Sequence, residues 1–241
     1  MTKQTVSRPL GKDEALPLGG AGSGNWGHAG RPGKRGGSVP RKTAMSIRSG
    51  KDWKARQAAA KRPQTGSHKG SRAKIYQELH AKRGREVLVA LDKDGNETFR
   101  REGIANSVPI LIDDSPYLKD AVLIHNHPAG WDIDKSNPMH NGNSFSLGDV
   151  MVAARDDAAE IVAITPTYVH RLVRPDGGWP HVDVVRTAYG VANLKTMNNW
   201  NKKLSAGIVS FEQANAAHGH DVMMELARHL HLEYERVEWT E

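Results

Sequence analysis

The chain has 241 residues, 38% of them hydrophobic, a formal net charge of +7 and no cysteine. That length holds one or two domains, and the hydrophobic share is low enough to leave part of the chain unpacked. A disulfide framework and a thiolate zinc site are excluded, so any metal must be held by histidine and carboxylate.

No run reaches membrane-spanning length, and the first ten residues lack the apolar core of a secretion signal, so no membrane contact and a cytoplasmic location are expected. The charge is unevenly spread. Residues 1–85 carry 20 Lys and Arg against 4 Asp and Glu, whereas the remainder carries 14 against 23. A basic arm on an acidic body suits weak contact with nucleic acid through residues 1–85, and it equally suits a solvated tail. Residues 1–70 read as a largely disordered, Gly-rich arm. Between Gly19 and Ser38, nine of twenty residues are glycine, too little apolar surface to offset the entropy of ordering. Gly22, Gly24 and Gly27 formally spell a dinucleotide fingerprint. With no strand before it and no helix after it, that match is rejected. Only Trp26 and Trp53 offer rings for base stacking in the arm, which weakens the nucleic-acid reading.

The folded part is expected over residues 71–184. Ser71 suits the N-cap of a first helix with Ile75, Tyr76 and Leu79 on its apolar face, ending near Gly84. Glu86 heads the apolar strand 86–91, and Asp94-Gly95 makes a hairpin turn into Thr98-Phe99-Arg100. Residues 104–112 supply a further strand or an irregular edge. A central strand follows over 121–124, then a helix opened at Ser146 that runs to Ala159. Strands over 161–165 and 168–174 close this part, ending at the turn 175–178. Beyond it, residues 185–241 read as a helical extension. Candidate helices cover 185–204 and the stretch after the Ser210–Gln213 capping box, with a terminal strand over 232–239. Alternating elements of both kinds give a mixed α/β fold.

Chemistry concentrates between Val122 and Asp149. Side chains two apart in an extended chain share a side, so His125 and His127 can aim both imidazoles at one point. If the chain folds back to bring Asp149 to them, two nitrogens and one carboxylate oxygen leave a fourth position open for water, as in catalytic zinc sites. Taken alone, an H-x-H pair is commonly a pair of loop histidines, and Ser146-x-x-Asp149 is commonly a capping box. His218, His220, His229 and His231 invite a second metal site, but no carboxylate spacing accompanies them.

With Glu86 on an early strand, His125-x-His127-Pro128 and Ser146-x-x-Asp149, residues 71–176 resemble the JAMM metallopeptidases, also called the JAB or MPN-plus family. The H-N-H-P-x-G wording is closest to the RadC-like branch. The resemblance implies an α/β/α core and Zn2+ held by His125, His127 and Asp149. It makes Glu86 the catalytic base and Ser146 the hydroxyl facing the oxyanion. It implies zinc-dependent hydrolysis of peptide or isopeptide bonds in a protein or peptide substrate. Inactive members act as protein-binding modules, and a nucleic-acid-associated RadC-like role is a further alternative. One departure stands out. Eighteen residues separate His127 from Ser146, more than members of the family usually have. The excess, Trp131 to Ser144, adds Asp132, Asp134 and His140 as competing ligands and Ser144 as a competing hydroxyl. Trp131 and Met139 are either substrate contacts or hinge packing, and Glu97 and Glu102 are rivals for the role of base.

The segment G-S-G-N-W-G-H-A-G-R-P-G-K-R-G-G-S resembles one that recurs in tailed-phage structural and head-morphogenesis proteins. That implies a phage origin, phage structural proteins as partners, and a linker, docking peptide or processing site. Host cytoplasm, or association with the virion, follows as the location.

Overall fold

The structure, a computed structural model, describes Leu16–Leu18 and residues 69–240. In chain order these form β1 (Leu16–Leu18), α1 (Lys69–Ala81), β2 (Val87–Leu91), β3 (Glu97–Glu102), β4 (Val108–Ile110) and α2 (Ser115–Leu118). Then come β5 (Val122–Asn126), α3 (Leu147–Arg155), β6 (Glu160–Ile164), β7 (Tyr168–Val173), α4 (Val182–Ser205), α5 (Phe211–Leu230) and β8 (Glu233–Glu238).

Six strands make one mixed sheet in the order β3-β2-β5-β6-β7-β8, and β1 pairs with β4 separately. The parallel pair is β5 and β6. A parallel connection needs a crossover, and α3 is that crossover. β2 and β6 read as unbroken apolar runs because both of their faces are covered. Alternate residues sort into two clusters. Leu88, Ala90, Leu123, Ile161 and Ala163 pack with Val150 of α3, Val185 and Ala188 of α4 and Val222 of α5. Val87, Val89, Ile124, Val162 and Ile164 pack against Leu79, with Ile75 and Tyr76 alongside. The architecture is therefore three layers, with α1 on one face of the sheet and α3, α4 and α5 on the other.

The C-terminal extension is part of this body. β8 pairs with β7 along the whole of Tyr168–Val173, and α4 and α5 share the core that covers α3. The expected boundary at residues 184–185 is therefore no break in the core. The Gly-rich segment 19–38 and most of the basic arm lie outside the described residues. Within the arm, Leu16–Leu18 departs from the expected disorder by forming a strand.

Glu160 ties α1 to the sheet. It is 5% exposed and is gripped by Arg72 of α1 and by Arg171 of β7, whose Nε lies 2.7 Å from it. Burial pushes this carboxyl up, but hydrogen bonds from Arg171 and Arg72 outweigh burial and hold it below its ordinary value. The stability it lends is present above the unfolded carboxyl pKa and is lost as pH falls through the lower folded one. We expect Glu160→Ala to cost about 2 kcal/mol at neutral pH, because half-buried Arg72 loses its carboxylate and Arg171 is left with Glu235 alone. Urea unfolding reads this as a lower midpoint at unchanged slope. A change of less than about 0.5 kcal/mol would mean that the cluster behaves as a surface ion pair.

Candidate metal centre

His125 sits inside β5, opposite Leu88 of β2 and Ala163 of β6. Both of those neighbours face α3, so the imidazole does too. The His127 N–H donates to the Ile164 carbonyl at 2.8 Å. This carries the pairing one residue past the strand and brings His127 out on the same face. α3 then delivers the carboxylate. Ser146 is its N-cap, in extended conformation. The Ser146 hydroxyl accepts from the Asp149 N–H at 3.3 Å, and Asp149 Oδ2 accepts from the Ser146 N–H at 2.6 Å. Asp149 is thus both half of the capping box and a candidate ligand, and the cap fixes where its carboxylate points.

The three side chains meet. His125 Nε2 lies 3.0 Å from His127 Nε2 and 3.5 Å from Asp149 Oδ1, and His127 Nε2 lies 3.7 Å from Asp149 Oδ2. Zinc bonds of about 2.1 Å in a tetrahedron put neighbouring ligand atoms about 3.4 Å apart, so these separations bracket those of one shared ion. All three residues are buried, and among the described residues they are the one group able to hold a metal. Their protonation suits the task. His127 Nδ1 is 2.8 Å from the Asn143 carbonyl, which only accepts. That nitrogen therefore donates to the carbonyl, which leaves Nε2 as the ring nitrogen that could ligate an ion. Burial lowers the His125 pKa to about 4, against the pull of the Asp149 charge, so this ring is neutral at physiological pH.

Glu86 comes from the neighbouring strand. The antiparallel register pairs Leu88 with His125, so two residues further along Glu86 lies level with His127 and on the same face. Asn126, between the histidines, faces the other way and locks this alignment. Its Oδ1 accepts from the Val87 N–H at 2.8 Å, and its Nδ2 donates to the Arg85 carbonyl at 2.9 Å. Backbone bonds from Glu86 N–H to Ile104 and from Gly103 N–H to Glu86 complete the hold. The carboxyl is 2% exposed and its Oε2 has no hydrogen-bond partner. Burial, and then the charge of Asp149, raise its pKa to about 9. A carboxyl made this costly by its surroundings sits where a cation would relieve it.

The rivals fall away. Glu97 pairs with Arg100, and Glu102 with Lys82 and Arg85, all on the surface. Asp132 and Asp134 are exposed. His140 Nδ1 turns to the carbonyls of Gly130 and Ile133, at 3.1 and 2.9 Å, and shapes its own loop. Trp131 lies under the Arg83 guanidinium, 3.1 Å from the ring centroid, and Met139 Sδ accepts from Asn215 at 3.3 Å. Both are half-buried. Gly142, at φ +72°, lets the loop pass Thr165 where a Cβ would come within 2.9 Å. His218 is bound to Thr196, and His229 and His231 are exposed.

Sequence reasoning missed Asn126, Asn143 and Tyr234. The Tyr234 hydroxyl meets Ser144, His170 Nδ1 and His220 Nδ1, each at 2.9 Å. Burial holds His170 well below its ordinary value and His220 at about 4, so both rings are neutral. Tyr234 thereby fixes Ser144, and Ser144 adjoins the Asn143 carbonyl that orients His127. If His125, His127 and Asp149 hold a metal ion, Tyr234→Phe should weaken its binding about tenfold through this chain of contacts. Competition with a chromophoric chelator measures it, and an affinity equal to wild type would show that the loop holds Asn143 without the tyrosine.

No family model, curated protein or solved structure matches this chain. The chemistry of the site therefore stands on its atoms: two imidazoles and a carboxylate spaced for one cation, beside a buried carboxyl whose pKa is raised.

Proposed function

We propose that the chain is a zinc-dependent hydrolase of peptide or isopeptide bonds of the JAMM type. The observation that carries this reading is the buried, raised carboxyl of Glu86 on the face where His125, His127 and Asp149 converge. A purely structural metal site needs no such group. Two imidazoles and one carboxylate, with no sulfur available, form the donor set of catalytic zinc. Further support comes from the sequence of elements: a helix, Glu86 before an apolar strand, the H-x-H strand, and a capped helix bearing Asp149.

His125 Nε2, His127 Nε2 and Asp149 would hold the ion. When bound, it supplies Lewis acidity to the substrate carbonyl and makes water acidic enough to act near neutral pH. The positive charge of a bound ion would favour the ionised form of Glu86, which then takes the proton of the attacking water as its oxygen adds to the carbonyl carbon. Glu86 then returns that proton to the leaving nitrogen as the C–N bond breaks. Ser146 accepts the Asp149 N–H through its oxygen. Its own proton is not used in that bond and is available to the oxyanion. The substrate is a protein or a peptide, and phage structural proteins are the partners proposed for it.

The test is metal analysis of the purified chain together with cleavage of a quenched fluorescent peptide library. One zinc per chain is expected, with activity abolished by a chelator and restored by Zn2+. A chain that takes up no metal would sink the proposal.

A further inference from the structure

The residues of the proposed site are shut in. His125, His127, Asp149 and Glu86 are each no more than 4% exposed, so a polypeptide cannot reach them in this conformation. Something has to move, and the strands and α3 are held in the core. The insertion between His127 and Ser146 is built differently.

Residues 130–142 form an Ω-loop whose two ends touch. A Cβ on Gly130 would come within 3.1 Å of Gly142 N and 2.7 Å of the His140 carbonyl oxygen. Both glycines have positive φ, +101° and +72°, a region that glycine enters and leaves freely. Between them the loop is held by its own bonds. Ile133 N–H donates to Gly130, Asn137 N–H to Asp134, His140 N–H to Asn137 and Gly142 N–H to Met139. The Asn137 side chain caps the Pro138–Asn141 turn, and His140 Nδ1 ties that turn back to Gly130 and Ile133. A unit closed on itself can swing about the glycine pair without unfolding.

Its path crosses the end of the sheet. Trp131 lies against His80 of α1, with ring centroids 4.6 Å apart, and under Arg83. The Pro138–Asn141 turn lies against α5, where Asn215 Nδ2 donates to Met139 Sδ at 3.3 Å. α1 and α5 cover opposite faces of the sheet. The loop therefore arches over the C-terminal ends of β5 and β6, where Gly142 rests on Thr165 and Pro166. His127 is the first residue past β5. The Asn143 carbonyl that holds His127 Nδ1 lies just outside the hinge, so the loop can move while this ligand stays oriented.

The closed position is held lightly. A guanidinium over a half-buried ring and an amide on a thioether are weak contacts. Trp131 Nε1 is buried with no hydrogen-bond partner, a cost that hydration relieves when the loop lifts.

We propose that residues 131–141 are a lid over the metal centre, hinged at Gly130 and Gly142 and clasped by Trp131 and Met139, and that substrate enters only when it opens. The proposal rests on the hydrolase reading above and adds the control of access to it.

The chain has no cysteine, so Met139→Cys with Asn215→Cys supplies its only two thiols, and a short bis-maleimide joins them to pin the lid to α5. In chelator, diethyl pyrocarbonate modifies the imidazoles it can reach, and peptide mass mapping follows each histidine. Bridging should slow modification of His125 and His127 at least about tenfold while leaving exposed His229 and His231 unchanged. With Zn2+ restored, cleavage of a quenched peptide library should fall by a similar factor in the bridged chain relative to the unbridged one. Equal modification rates with and without the bridge overturn the lid, as does cleavage at the native rate by the bridged chain. Slowed modification in a chain that cleaves nothing, bridged or not, keeps the lid and sinks the hydrolase.

Discussion

Alanine at Asp149 should abolish metal uptake at the proposed site. The carboxylate lies 3.5 and 3.7 Å from the two imidazole nitrogens. Without it, a divalent cation would sit in a buried pocket with two imidazoles alone. We expect zinc affinity to fall at least about a thousandfold, more than the 10–100-fold typical of outer-shell partners. His125→Ala should do the same while leaving the capping box of α3 intact. The two variants differ in stability. Asp149→Ala also removes one half of a helix cap, costing about 1 kcal/mol. The measurement is metal content after gel filtration, with chelator competition for the residual affinity. Stoichiometric zinc retained in both variants would mean that the convergence of these three side chains is not a metal site.

Glu86→Gln should separate binding from turnover. It keeps the shape of the side chain and supplies none of the three candidate ligand atoms, so metal content should be unchanged. Losing the group that carries the proton should lower kcat by about 10²–10⁴-fold. Activity close to native would remove Glu86 as the base. The same variant makes a thermodynamic prediction for the metal-free protein. The folded carboxyl titrates at about 9 against an ordinary 4.5. Its folded pKa is raised, so its contribution is fully present below about 4.5 and is lost as pH rises toward 9. At pH 8, metal-free Glu86→Gln should therefore be more stable than the native chain, by about 2–4 kcal/mol. At pH 4.5 the difference should vanish. His125 acts in the opposite sense. Lowered to about 4 from 6.5, it contributes stability that is present above 6.5 and lost as pH falls through 4. Urea unfolding in chelator at several pH values would show both slopes, and a pH-independent difference between the two chains would contradict the burial of Glu86.

Much of the scaffold was legible because it is local. The hairpin at Asp94-Gly95, the apolar face of α1 and the Ser210–Gln213 capping box each depend on neighbours within a few positions, and each is present. Boundaries moved by a few residues. β5 continues through Asn126 instead of ending at Ile124, because pairing with β6 extends that far. The extension beyond residue 184 looked separate because its helices are periodic on their own. Its terminal strand reveals its place only through β7.

By itself, the sequence determined that two imidazoles share a side, since alternation along a strand is a property of the backbone. It also determined that Ser146 and Asp149 clasp each other, since a capping box spans only three residues. Only the tertiary structure decided that Asp149 reaches those imidazoles, that Glu86 lies level with His127, and that Asn143 and Tyr234 stand behind the second ligand. The physical reason is that periodicity encodes which face a residue takes but not which strand lies beside it. Register between distant segments is set by the packing of the whole sheet.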